Sequence, residues 1–147
     1  MKTKHWMKIL GAAMVLMIFG YGCFRSLQND VGFVTSSALC PVKDLPIAAK
    51  DVSFFLPGAF RPIECYDFTI DEASFRSWVS QRRARDSDIG PLEDAGFSLV
   101  RFNIKSNQFE QITVESGLVS HWERGEQGLT YGYDRGEHKA YYYHHSR

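Results

Sequence analysis

Histidines and carboxylates are the side chains of this chain best suited to bind a metal ion or to move a proton. Four of its five histidines lie in the last third of the sequence. His121 and Glu123 alternate on one predicted strand, and His144 lies on the final one, so neighbouring strands can bring the three together as a metal site. Their spacing matches no recognised ligand motif. Exposed strand histidines are therefore the simpler interpretation, and we predict no cofactor.

Nucleophilic catalysis has no support in the sequence. No Gly-x-Ser-x-Gly turn and no phosphate-binding glycine loop is present, and Ser116-Gly117 is typical of a hairpin turn. The carboxylates that lie close together occur in a polar stretch between residues 86 and 96, where solvated side chains are expected. An enzyme is not excluded, but no residue is nominated as catalytic.

Aromatic side chains are concentrated in the predicted strands, where they can serve packing or binding. Tyrosine combines apolar area with a hydroxyl group, so an exposed face of such residues can bind a sugar, a peptide strand or a protein. Ordinary cross-strand packing is the alternative. The residues of this predicted binding face are Trp122, Tyr131, Tyr133, Tyr141 and Tyr143.

The chemical state of the three cysteines depends on the compartment in which the protein resides. In an oxidising compartment Cys40 and Cys65 are expected to form a disulfide, with two unpaired thiols as the alternative. Cys23 lies near the end of an apolar stretch and is a candidate for lipidation.

That apolar stretch, residues 9–24, comes after the basic residues Lys2, Lys4 and Lys8. A basic start and then an uncharged apolar run predict that the rest of the chain is exported. Three alternatives stay open: a single transmembrane anchor, a lipoprotein signal ending at Cys23, and a cleaved signal peptide. Each puts residues 25–147 outside the cytoplasm, attached to the cell envelope in the first two cases.

Charge argues against nucleic acid as a partner. The chain carries 17 basic and 17 acidic residues. Without the three lysines of the first segment, 14 basic residues face 17 acidic ones, a balance of −3. Nucleic-acid binding needs a clustered positive surface. The expected partners are the membrane, through the N-terminus, and an unidentified envelope protein or glycan.

Elements that would position these side chains are predicted from periodicity. We predict a signal or anchor at residues 1–24, a tether at 25–50 and a small domain at 51–147. A capping box of Thr69 and Glu72 opens an amphipathic helix that ends near Arg85. Strands of period two precede and follow it. The predicted fold is α+β: an N-terminal membrane or signal helix, then an antiparallel meander with one amphipathic helix on one face.

Four segments resemble small uncharacterised bacterial envelope proteins. They are Asp51–Phe55, Tyr66–Thr69, the pair Phe75 and Trp78, and residues 140–147. The resemblance covers about residues 45–147. It implies export and a shared fold, and no activity.

Three hypotheses for function remain. The first is a membrane-tethered interaction module without catalysis, which predicts an aromatic face and no convergent polar pocket. The second is a small exported hydrolase or metal-binding protein that uses His121, Glu123 and His144. The third is a structural envelope lipoprotein whose role depends on its anchor.

Overall fold

The computed structural model describes residues 3–59 and 63–146, without the side chains of residues 3–13 and 23. Helix α1 (Thr3–Leu27) is followed by β1 (Asp30–Ser36), a short 3-10 helix (Ser37–Leu39), β2 (Lys50–Leu56) and β3 (Ile63–Thr69). Helix α2 (Glu72–Arg85) comes next. The remaining strands are β4 (Glu93–Asp94), β5 (Phe97–Asn103), β6 (Gln108–Val114), β7 (Gly117–Arg124), β8 (Gln127–Asp134) and β9 (Lys139–Ser146).

Seven strands form one antiparallel sheet in the order β1-β2-β3-β9-β8-β7-β4, and β5 and β6 form a separate hairpin. The pairing of β3 with β9 joins two parts of the chain that are far apart in sequence. It brings Tyr66 opposite Tyr142, whose rings stack with centroids 4.3 Å apart. This pairing makes β9 a central strand between β3 and β8.

The sheet is covered on both faces. Phe75, Trp78 and Val79 of α2 are buried against one face, together with Phe68 and Tyr133. The β5–β6 hairpin covers the opposite face, where Phe97 and Leu99 pack near Tyr141. We call these the helix face and the hairpin face. Two apolar layers therefore enclose the sheet.

The predicted fold class is wrong. Strand residues make up 47% of the chain and helix residues 23%, so the protein is mostly antiparallel β structure. The strands are not a single meander, because β3 pairs with β9 and the β5–β6 hairpin leaves the sheet. No helix in the described part of the chain has both the length and the apolar character needed to cross a membrane.

Residues 25–50, predicted as a tether, contain β1, which pairs with β2 from Asp30 to Ser36. The end of α1 also contacts the segment after β2. The Ala59 amide donates to the Ser26 carbonyl at 2.9 Å, and the Gly58 amide donates to Asn29 Oδ1 at 3.1 Å. Part of this segment therefore belongs to the sheet.

Local details of α2 agree closely with the sequence pattern. Asp71 caps the helix, and its Oδ1 accepts from the Ser74 amide at 2.8 Å, so the predicted cap at Thr69 is two residues early. Hydrogen bonds from Ser74 hold the pKa of the Asp71 carboxyl below its usual range. Glu72 pairs with Arg76 at 2.7 Å in an i,i+4 arrangement.

A glycine of β8 allows the hairpin to approach the sheet. A Cβ atom at Gly132 would lie 2.5 Å from Cε2 of the buried Phe97 ring. We therefore expect Gly132→Ala to lower the free energy of unfolding by about 1–3 kcal/mol, because the ring must shift within a packed layer. Urea unfolding measures the change.

Gly136→Ala is the matched control, since its Cβ would meet only the Asp134 carboxylate, at 3.2 Å. If Gly132→Ala lowers the free energy of unfolding no more than Gly136→Ala does, the Phe97 ring can shift without cost and the prediction is wrong.

Candidate functional site

The predicted metal site is divided between the two faces of the sheet. Directly paired residues share a face, and Trp122, Leu129 and His144 form one such row across β7, β8 and β9. Glu123 pairs with Gly128, which pairs with His145, so His121 and Glu123 share the hairpin face with His145 and not with His144. Among the residues that the structure describes, no group of three His, Cys, Asp or Glu side chains could hold a metal ion.

His144 and His145 differ in their surroundings. Burial, and then the neighbouring His145, lower the pKa of His144. The His145 ring lies over Gly128, where a side chain would collide with it, and its buried Nδ1 has no hydrogen-bond partner among the described residues. The cavity beside it, about 340 Å³, also borders His121 and Glu123.

The predicted aromatic face is also divided. Tyr131 and Tyr133 are buried on the helix face, with their ring centroids 5.1 Å from those of Trp78 and Phe75, respectively. Burial raises the pKa of Tyr131. Trp122 is half-buried on the same face as these two tyrosines. These side chains serve the core more than the surface.

Tyr141 and Tyr143 lie on the hairpin face. Tyr141 is buried near Phe97, and Tyr143 is half-buried between the two hydrophobic clusters beneath the hairpin. Burial raises the pKa of Tyr141. The five predicted aromatic residues therefore do not share a single exposed surface.

The cysteines of the predicted disulfide are both free thiols in the structure. Cys40 packs at the margin of the helix-face core, whereas Cys65 is buried beneath the hairpin with Phe55 and Phe102. Burial raises the pKa of the Cys65 thiol to about 12, so it is protonated at neutral pH. The side chain of Cys23, the predicted lipidation site, lies outside the described part of the chain.

The outer edge of β1 is the feature that these predictions missed. β1 pairs with β2 on one side and with no other described strand. Alternate residues of this seven-residue strand therefore present their amide and carbonyl groups outward. The opposite edge of the sheet is the two-residue strand β4, whose side chains are both acidic. The two edges thus differ in length and in charge.

Apolar side chains flank this edge. Val31 pairs with Phe55, so it lies on the hairpin face, and Phe33 two residues later lies on the same face. Val31 is 41% exposed and Phe33 is 53% exposed. Gly32 between them faces the helix side, where a Cβ atom would lie 2.6 Å from the Phe54 ring. The alternation of Val31, Phe33 and Thr35 was the sequence signal for this strand.

Comparison with known proteins identifies no relative: no family model, no curated protein and no solved structure matches the chain.

Proposed function

We propose that this protein is a non-catalytic interaction module that acts outside the cytoplasm and binds an extended segment of a partner protein. The segment adds to the sheet as a new strand beside β1. The observation that carries this proposal is the unpaired outer edge of β1, which has seven residues. Strand addition uses such an edge, with main-chain hydrogen bonds providing affinity.

The edge lacks the features that normally prevent pairing. Exposed edge strands are commonly protected by lysine, by proline, by a bulge or by a short length. β1 contains neither lysine nor proline, and its pairing with β2 is regular from Asp30 to Val34. β4, by contrast, is protected by its short length and by its two charged side chains. Of the two edges of the seven-stranded sheet, β1 is therefore the one open to a partner strand.

The exposed side chains of β1 indicate what kind of segment it can bind. A strand beside β1 would place alternate side chains next to Val31 and Phe33 on the hairpin face. These two side chains are apolar and Asp30 is the only charged residue of β1. The favoured segment is an extended one with β-branched or aromatic residues at alternate positions.

Export is proposed on the sequence, from Lys2, Lys4 and Lys8 and the apolar run after them. Attachment of a lipid at Cys23 would hold the module at the membrane surface. A partner in the cell envelope is then within reach of β1.

The proposal is tested by selecting displayed random peptides, each about ten residues long, on the full-length protein. We expect the selected peptides to show apolar residues at alternate positions and to slow hydrogen exchange of amides within residues 30–36. A Val31→Lys, Phe33→Lys double variant should weaken their binding about tenfold or more, because a charged edge disfavours pairing.

Ile47→Lys is the control, since Ile47 is 96% exposed in the loop before β2 and is not part of the β1 strand. Peptides that bind the double variant as tightly as the original protein, or that protect other amides, would contradict strand addition. Concentration-dependent dimerisation through residues 30–36 without peptide would instead identify a second copy as the occupant, and would also contradict the proposal.

A further inference from the structure

A cavity of about 540 Å³ lies between the hairpin face of the sheet and the turn that joins β5 to β6. Its floor is a row of directly paired residues, Phe33 of β1, Ser53 of β2 and Asp67 of β3. Residues 101–105 form the opposite wall, and Lys139 of β9 closes the inner end. Its volume is within the range of about 300–1,000 Å³ that is usual for small-molecule sites.

Positive charge exceeds negative charge in this cavity. Arg101, Lys105 and Lys139 line it, and Asp67 is the only acidic lining residue. The Asp67 carboxylate, 4% exposed, forms an ion pair with Lys139, whose Nζ lies 2.5 Å from Oδ1. Arg101 is paired in turn with Glu110, which lies outside the lining, so Lys105 is the one lining cation without an acidic partner among the described residues.

Arg101 is held in a fixed position, and its terminal N–H groups remain available as hydrogen-bond donors. Its Nε donates to Glu110 Oε1 at 2.6 Å, and Asn103 Nδ2 donates to Glu110 Oε2 at 2.9 Å. The terminal nitrogens of Arg101 make no hydrogen bond to any residue of the described ranges. An arginine fixed through Nε can still offer its terminal N–H groups to an oxyanion.

Lys139 offers the second set of donors. Its ammonium group has three N–H donors and one acidic neighbour, Asp67, and it lies 5.7 Å from the centre of the Tyr141 ring. The lysine side chain is 21% exposed, so solvent supplies only part of the remaining hydrogen bonding. An anion near Arg101 would therefore meet two kinds of cationic donor.

The rest of the cavity is apolar. Phe102 is buried and Ile104 is half-buried along the wall. Phe33, at the sheet edge, leaves about half of its surface open to solvent. A ligand with a charged head near Arg101 and Lys139 would lay an apolar body over these three side chains.

We propose that this cavity binds an amphipathic carboxylate, with its carboxylate group at Arg101 and Lys139 and its hydrocarbon body along Phe102 and Ile104. The planar guanidinium suits a carboxylate, which it can bind through two parallel hydrogen bonds. The site shares the Phe33 side chain with the β1 surface, but its charged groups, Arg101 and Lys139, lie on β5 and β9 and not on the backbone edge of β1.

Octanoate is the probe, titrated into the isotope-labelled full-length protein and followed by NMR, with octanol as its uncharged counterpart. We expect octanoate to shift the amide signals of Ser53, Asn103 and neighbouring lining residues, and to bind about tenfold more tightly than octanol. Arg101→Gln should remove that preference. Circular dichroism establishes that the variant is folded.

Lys105→Gln is the second variant, because this exposed turn residue can change without disturbing the Arg101–Glu110 pair. It should weaken octanoate binding by severalfold. Arg124→Gln, an exposed change outside the cavity, should leave binding unchanged. Equal binding of octanol and octanoate, or shifts confined to the apolar residues of α1, would overturn the proposal.

The strand-addition proposal and the carboxylate-site proposal can be contradicted by different variants. Val31→Lys should weaken the binding of selected peptides and leave octanoate binding unchanged, whereas Arg101→Gln should do the reverse. Loss of both ligands in both variants would contradict two independent sites.

Discussion

Lys139→Met is expected to lower the free energy of unfolding by about 3 kcal/mol at pH 7, because it leaves a buried carboxylate without its cation. Asp67 is buried, and Lys139 is its one ion-pair partner in the described chain. Methionine retains most of the volume of the lysine stem, so the loss reports the charge more than the packing.

This loss should depend on pH. Burial raises the pKa of Asp67 in the folded protein, more than Lys139 lowers it. The folded state therefore holds this proton more tightly than the unfolded state. The resulting contribution to stability is complete below about pH 3.9, the unfolded pKa, and disappears as the pH rises through the folded pKa. Without Lys139 the folded pKa rises further, so the variant loses more stability between acidic and neutral pH.

Urea unfolding of both proteins at pH 4 and pH 7 measures this effect. The difference between them, rather than either curve alone, is informative, because Glu72 and Asp94 have lowered pKa values that affect both proteins alike. The double variant Lys139→Met, Asp67→Asn should recover most of the loss at pH 7. An equal loss at both pH values, or no recovery, would show that packing is responsible.

Trp78→Ala is expected to lower the free energy of unfolding by about 3–5 kcal/mol, the largest loss from a single truncation of α2. Trp78 is 5% exposed, and its ring lies 5.4 Å from that of Phe68 and 5.1 Å from that of Tyr131. Its Nε1 donates to the Asp44 carbonyl at 2.9 Å. The residue thus joins the helix to the sheet and to the loop before β2.

Trp78→Phe separates these two roles, because it keeps an aromatic ring and removes the donor to Asp44. We expect a loss of about 1–3 kcal/mol from the unpaired carbonyl and the smaller ring. Urea unfolding followed by far-ultraviolet circular dichroism measures both variants. Trp122→Ala, at a half-buried position of β7, is the control. If it lowers the free energy of unfolding as much as Trp78→Ala does, the proposed role of Trp78 in joining helix, sheet and loop is wrong.

Elements with local signals were predictable from the sequence. The α2 stripe of Phe75, Trp78 and Val79 is evident from helical spacing, and the strands from Phe97 onward are evident from period two and turn residues. The pairing of β3 with β9 has no local signal, since it depends on which distant strands bury the most surface. For the same reason the departure of the β5–β6 hairpin from the sheet could not be foreseen.

The candidate sites were harder to predict than the strands. The β1 edge lies in a stretch whose glycine and polar residues resemble a linker, although Val31, Phe33 and Thr35 do alternate. Asp67 stands in the middle of an apolar strand, and an unexplained charge there was the available signal for the cavity. Its partners Arg101 and Lys139 come from strands that only the complete sheet brings near.

The central position of β9 has a consequence for the order in which the chain can fold. Residues 139–146 come after every other strand in the sequence, yet they separate β3 from β8 in the finished sheet. During synthesis, strands β1 to β3 and strands β7 and β8 are therefore made before the strand that joins them exists. Nascent chains that end before residue 139 expose two unpaired inner edges, and stable closure waits for the last strand to emerge.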